Sequence, residues 1–232
     1  MRIWTRMAIV AVISSSIALV GMRAAVGPTT GADGTYALSS ARIDKTGSAV
    51  VQQSGGKYGE TSMRQVTFSA CDQGAGITPQ QTLSTTSILT LYNPSGNNVR
   101  LRVQKVSVAY VSGTLSSGPI YHCAIISTAQ TAPSGGTLLT NVCLDVGSGT
   151  TGTGVVRTGA TVASGIKALR PLCATAPQLA TSVLALSGVI EDVDGEFVVE
   201  PGASYHLQSV QAGAGTSPLI TAGVTWTEEP IK

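Results

Sequence analysis

The glycine-rich stretch at residues 147–152 comes closest, by residue types and spacing, to a known chemistry. It reads G-x-G-x-x-G after a strand-like run, the arrangement with which a backbone loop holds the pyrophosphate of a dinucleotide. Such a site also needs a helix whose first turn faces the phosphates. Residues 153–157 (TGVVR) are strand-like instead, and no acidic residue stands about 20 positions further on. We therefore predict a surface loop and no cofactor.

A second chemical pattern is the acidic series Asp192, Asp194 and Glu196. These residues are spaced like the first ligands of a calcium loop. The position where that loop requires glycine holds Phe197, and the chain continues as a strand. The pattern predicts an exposed acidic turn and no metal site.

Catalytic motifs are missing from the sequence. It contains neither G-x-S-x-G nor H-E-x-x-H, and its two imidazoles are His122 and His206. Each histidine stands inside a strand-like run, where we expect a histidine of the core or of an interface. We therefore predict that the protein is not an enzyme.

The four cysteines, Cys71, Cys123, Cys143 and Cys173, include no C-x-x-C pair. Zinc ligands usually arrive as close pairs, so the expectation is free thiols packed as small apolar side chains. One or two disulfides stay open as the alternative if the protein matures outside a reducing cytosol, and the sequence does not choose their pairing.

Composition narrows the class of protein. Charged residues make up 11% of the 232 residues, against about 25% in an average soluble domain. Two interpretations stay open: a surface largely covered by other subunits, or a stable extracellular β-domain. A net charge of +2 does not indicate nucleic-acid binding. Residues 1–170 carry a net +8 and residues 171–232 a net −6. A polarity of this size can orient one protein against another, or it can be an accident of which strands face solvent.

Alternating apolar residues predict an all-β protein. Strands are expected at residues 64–71, 87–92, 99–111, 119–127, 137–146, 194–200, 204–211 and 220–229. Short strands separated by glycine and proline turns favour an antiparallel jelly roll or β-sandwich. The apolar phase slips near Gln104 and Lys105, which predicts either a bulge or a strand that changes sheets. Residues 161–187 show no clean period and are predicted to be loop, with a short helix around 164–169.

We assign residues 61–232 to one jelly-roll domain, with an extended arm and lead-in at residues 1–60 and a linker at 27–34. The core is expected to include the bulky members of the alternating strands: Phe68, Leu101, Val103, Phe197 and Trp226.

The apolar run at residues 7–22 follows Arg2 and Arg6 and so resembles a signal peptide. Arg23 directly after the run, and Pro28 after the nearest small-x-small triplet, count against cleavage. The run is also shorter than the roughly 20 residues that a bilayer requires. We favour an arm that contacts a neighbouring subunit, and a retained signal or membrane anchor stays the alternative. Its expected contact residues are Ala8, Val10, Val12, Ile17 and Leu19.

Three stretches carry a resemblance to a known family. The C-terminal strands with the turn EPG (200–202) and the ending TWTEEP (225–230) resemble the end of jelly-roll virion proteins of tailed bacteriophages. The turn NPSG (93–96) between a short and a long strand, and the lead-in DKTGSAVVQQSGGKYGE (44–60), are similar to the same family. The resemblance covers roughly residues 40–232.

The resemblance implies a virion structural protein, namely a capsid decoration or cement protein on the capsid surface. Its partners would be the major capsid protein or neighbouring virion subunits, and a homotrimer is the first expectation. A head-fibre or tail-associated module is the related variant. The alternative from another class is a secreted or membrane-tethered bacterial β-sandwich of the cell envelope that binds carbohydrate or a surface partner.

Overall fold

The structure is a computed structural model that describes residues 42–43, 49–50, 59–125, 130–162, 165–175, 188–213 and 215–231. The chain divides into two compact units, residues 1–60 and 61–232, at the predicted boundary. In the first unit, β1 (Arg42–Ile43) pairs antiparallel with β2 (Ala49–Val50). The apolar run 7–22 with its five expected contact residues, and the linker 27–34, lie outside the described residues.

The second unit is nearly all β-structure. The short helix α1 (Gly59–Met63) precedes its first strand, and no helix in the described ranges has the length and apolar character needed to cross a membrane. The strands are β3 (Thr67–Cys71), β4 (Leu89–Tyr92), β5 (Val99–Thr114), β6 (Gly118–Ile125), β7 (Thr137–Leu139), β8 (Val142–Cys143), β9 (Val155–Thr158), β10 (Ile166–Thr175), β11 (Val189–Asp192), β12 (Val198–Val199), β13 (Ser204–Ser209) and β14 (Thr216–Pro230).

These strands form two antiparallel sheets, which confirms the predicted fold class. The β14 sheet has the order β11-β5-β14-β3-β8, with β12 also paired to β5, and the β13 sheet has the order β10-β6-β13-β4-β9-β7. Eight strands carry the jelly-roll order. When β3, β4, β5, β6, β10, β11, β13 and β14 are counted one to eight, one sheet reads 6-3-8-1 and the other 5-4-7-2. The insertion between β6 and β10 supplies β7, β8 and β9.

The predicted bulge in β5 is confirmed. Thr225 of β14 lies opposite Lys105, whereas the next residue, Trp226, lies opposite Val103. Gln104 is therefore the extra residue, and its carbonyl accepts hydrogen bonds from the backbone N–H groups of residues 193 and 194. Because one extra residue exchanges the two faces of a strand, the buried positions of β5 change from odd to even numbers there.

The core fills the space between the two sheets. Phe68, Leu101, Val103 and Trp226 are buried, as expected, and the rings of Phe68 and Trp226 lie 6.0 Å apart. Phe197 is half-buried and packs against the rim of this core.

The predicted helix near residues 164–169 is wrong. The described residues of that stretch belong to β10 from Ile166 onward, which pairs with β6 along its length. Register shifts between Ala168 and Arg170 and between Pro171 and Cys173 break the alternation. The strand therefore shows no clean period in sequence, and pairing with β6 decides its conformation.

The single strand predicted at residues 137–146 is two strands in different sheets. β7 ends the β13 sheet and β8 ends the β14 sheet. Between them, the amide of Asn141 donates to the carbonyls of Gly152 and Gly154 at 3.0 and 2.9 Å. These bonds hold the chain where it crosses from one sheet to the other.

Candidate functional site

An inter-sheet cluster is the most connected group of ionisable side chains in the described part of the chain. It comprises His122 of β6, Arg170 of β10, Glu191 of β11, Tyr205 of β13, and Glu196 and Phe197, which precede β12. His122 and Arg170 lie opposite each other in register, as do Leu207 and His122. Directly opposed residues of neighbouring strands point to the same face of a sheet, and Leu207 belongs to the core. The side chains of His122 and Arg170 therefore also point inward, toward β11 of the facing sheet.

Hydrogen bonds run through the cluster in one chain. Nε2 of His122 lies 3.0 Å from Oε2 of Glu191, and Nδ1 lies 2.5 Å from the hydroxyl of Tyr205. A carboxylate accepts only, so Nε2–H donates to Glu191 and the Tyr205 hydroxyl donates to Nδ1. Arg170 donates from Nη1 to Glu191 and from Nη2 to Glu196.

Aromatic contacts close the cluster on its remaining side. The ring of Phe197 lies 5.1 Å from that of His122 and 5.6 Å from that of Tyr205. The guanidinium of Arg170 lies over the Phe197 ring at 5.3 Å, within the range of a cation–π contact.

The protonation states follow from burial and pairing. Burial lowers the pKa of His122, and the neighbouring Glu191 offsets part of that shift. Burial alone would raise the pKa of Glu191, but the hydrogen bonds from His122 and Arg170 outweigh it and leave this pKa below its ordinary value. Burial also raises the pKa of Tyr205. At neutral pH the cluster therefore holds a neutral imidazole, a carboxylate and a protonated phenol.

This cluster is built to join the sheets. General acid–base catalysis requires a group within hydrogen-bond reach of a substrate, and His122 and Tyr205 are fully buried. A small cavity of about 180 Å³ next to Phe197 and Tyr205 is below the size of an ordinary ligand site. In this arrangement the polar atoms of the cluster form hydrogen bonds and ion pairs with one another.

The second histidine has a separate, uncharged environment. Nδ1 of His206 lies 3.1 Å from the hydroxyls of both Ser87 and Thr90, and Nε2 lies 2.8 Å from that of Ser204. Burial lowers the pKa of His206 to about 3. Both histidines are buried side chains of strands, as the sequence analysis expected.

The glycine-rich loop is occupied by a carboxylate of its own chain. Oε1 of Glu228 accepts from the backbone N–H groups of Thr153 and Gly154 at 2.7 and 3.1 Å and from the indole N–H of Trp226 at 3.2 Å. A Cβ added at Gly152 would lie 2.8 Å from the Phe68 ring, and one at Gly154 would lie 3.0 Å from Leu101. These two glycines therefore permit close packing, and β9 follows the loop where a nucleotide site needs a helix.

The acidic series does not converge. Asp192 pairs with Lys105, and Glu196 pairs with Arg170. No group of three or more His, Cys, Asp or Glu side chains in the described ranges could hold a metal ion. The four cysteines are free thiols, and burial raises the pKa of Cys123 to about 12.

Part of the charge polarity of the sequence is paired inside the domain. Basic residues of the first 170 positions pair with acidic residues of the last 62. The pairs are Arg100–Glu200, Arg102–Glu229, Lys105–Asp192, Arg170–Glu191 and Arg170–Glu196. These five acidic residues are thus paired within their own chain.

Four exposed apolar side chains lie within nine residues of the chain, in and just after β7 and β8, the strands that end their sheets. We call the following four residues the apolar edge: Leu138, Val142, Leu144 and Val146, with exposed fractions of 59, 52, 41 and 87%. Gln65, just after α1, bonds to Asp145 and Thr150 beside it. The first residues of the domain therefore lie next to the apolar edge.

A groove of about 630 Å³ opens on the same side, between residues 71–78 after β3 and residues 136–140 around β7. β8 covers only Phe68 and Ser69 of β3, so within the described ranges no strand pairs with Ala70 and Cys71 on that side. β7 likewise presents an outer edge without a strand partner there. Unpaired strand edges are templates for another extended chain.

Sequence reasoning missed the inter-sheet cluster. Four of its members come from four different strands and the other two precede β12, and the stretch containing Arg170 is predicted from sequence to be loop or helix. The one local signal was the position of His122 inside a strand. Comparisons with protein-family models, with curated proteins and with solved structures found no match for this chain.

Proposed function

We propose that this chain is a structural protein of a bacteriophage virion, a decoration or cement protein that stabilises the capsid shell by burying surface between neighbouring subunits. The apolar edge is the observation that carries the proposal. Four apolar side chains exposed within nine residues are typical of a surface that another protein covers.

Two further observations support a structural role. The jelly-roll strand order recurs in viral capsid proteins, although lectins and cupins share it. The described ionisable clusters are closed by their own hydrogen bonds, so they bind the protein to itself.

The test is the location of the protein. Mass spectrometry of purified virions should detect it at a copy number characteristic of a shell component, and immunogold labelling should mark the capsid. Labelling of the tail or of fibres would instead indicate a tail-associated or head-fibre module. Recovery in the host envelope fraction, with none in virions, would refute the proposal.

The arm provides a second test. Deleting residues 1–33 should leave the domain folded, because all jelly-roll strands follow residue 60, yet should abolish incorporation into particles. Normal incorporation of the truncated protein would make the arm dispensable.

The groove is the one observation that favours the alternative, a cell-envelope β-sandwich that binds carbohydrate. Its walls offer hydroxyl and amide groups from Gln73, Thr78, Thr137 and Thr140. A glycan array probed with the full-length protein tests it: binding that is lost on Thr137→Val would support this function over the first.

A further inference from the structure

We propose that the groove accepts, as an added strand, the apolar run 7–22 of a second copy of this chain. The inference rests on the proposed function, because it names the surface through which neighbouring subunits hold each other. Both walls of the groove end in strand edges without a described partner. An extended peptide lying there would satisfy those backbone groups in the manner of β-strand addition.

The side chains of the groove fit an uncharged strand. The lining includes Ile77, Leu138 and Leu139, and its one ionisable carboxylate belongs to Asp72. The run 7–22 carries no charge and is rich in isoleucine and valine, residues that favour strands. Successive side chains of a strand point to opposite sides, so Ala8, Val10 and Val12 would share one face.

The net charge and the length of the N-terminal arm also favour this segment as the occupant of the groove. The groove lining holds no Lys, Arg or His, whereas residues 1–58 hold six Lys and Arg against two Asp. The arm is thus complementary in sign to Asp72. An extended chain spans about 3.3 Å per residue, so the arm can pass well beyond a domain roughly 40 Å across and enter the groove of a neighbour.

Cys71 makes the proposal testable, because it is exposed and lines the groove. Two full-length chains are coexpressed. One carries Val10→Cys with Cys71→Ala, and the other is wild type with a size tag. After mild oxidation we expect a disulfide between position 10 of the first chain and Cys71 of the tagged chain, identified by peptide mass spectrometry. Thr30→Cys in the linker, tested in the same way, should form at least tenfold less of this product.

Two variants probe the groove wall without a cysteine. Leu138→Lys places a charge on β7, and Leu169→Lys places one at a similarly exposed position on β10 at the opposite edge. We expect light scattering to show a lower oligomeric state for Leu138→Lys and the wild-type state for Leu169→Lys.

Three results would overturn the inference: no disulfide between the coexpressed chains, a mature protein that begins after residue 22, or Leu138→Lys with the wild-type oligomeric state. Its failure is distinguishable from failure of the proposed function. A virion-associated protein without the cross-link would retain the function and lose this contact, whereas a cross-linked protein absent from virions would do the reverse.

Discussion

His122 Nε2 and Glu191 Oε2 lie 3.0 Å apart and join the two sheets where β10 faces β11. The imidazole is fully buried and the carboxylate is about one-quarter exposed. This bond therefore differs in kind from the half-exposed ion pairs of the domain, because losing its acceptor leaves a buried N–H without a partner.

We expect Glu191→Ala to lower the free energy of unfolding by about 1–3 kcal/mol, since a buried donor loses its acceptor. The matched control is Asp192→Ala, which removes the neighbouring, half-exposed pair with Lys105 and should cost less than about 1 kcal/mol. Urea unfolding measures both. Equal effects would show that the cluster does not stabilise the sheet contact.

Stability should fall as the pH drops below about 6.5 because of His206. Its folded-state pKa is about 3 and its ordinary value is 6.5, so between these values the unfolded chain binds a proton that the folded chain does not. The stabilisation is complete above pH 6.5 and should decrease by roughly 3 kcal/mol by pH 4. His206→Asn should flatten this slope in urea titrations. An unchanged slope would assign the pH dependence to other groups, such as His122.

Glu228→Gln should destabilise the domain by about 2–4 kcal/mol. The carboxylate accepts from two backbone N–H groups, the Thr153 hydroxyl and the Trp226 indole. An amide keeps one acceptor oxygen for the three N–H donors but removes the negative charge that strengthens these bonds. Glu229→Gln, one residue on and half-exposed, is the control and should change stability by less than about 1 kcal/mol. Chemical denaturation with tryptophan fluorescence follows both variants.

Trp226→Ala should cost about 3–5 kcal/mol, because it empties a large site in a closed core. Ile190→Ala on the exposed face of β11 should be nearly neutral. Melting curves decide, and an unchanged transition for Trp226→Ala would remove this side chain from the core.

The isolated full-length protein should be a homotrimer in light scattering. This prediction rests on the low fraction of charged residues, on the apolar edge, and on the resemblance to virion proteins that commonly form trimers. A monomer at micromolar concentration would contradict a self-contained trimer and leave assembly on a shell as the remaining form of the proposal.

The sequence predicted those parts of the fold that local pattern determines. Alternation identified the long strand β5 and the bulge at Gln104, because apolar residues must keep one face toward the core. It failed for β10, whose two register shifts erase the period. The same pattern predicted one strand where β7 and β8 are two, because local alternation carries no information about the change of sheet at Asn141.

The candidate site was less predictable than the fold. Arg170 and Glu191 become neighbours only because β10 and β11 end facing sheets, and nothing in their local sequence marks that contact. The strand-like residues that follow the glycine-rich loop do form a strand, β9. The partner of the loop, Glu228, lies 74 residues from Gly154, beyond any local motif.

The position of β14 between β3 and β5 has a consequence for biosynthesis. Among the described strands β14 is synthesised last, and it is the strand that joins the first and third strands of the jelly roll, so the β14 sheet cannot close before β14 has been made. Folding dominated by such distant pairings is slow, and strand edges stay exposed until β14 emerges. A stop codon that removes only residues 216–232 should therefore yield an aggregating chain, however much of the upstream sequence remains.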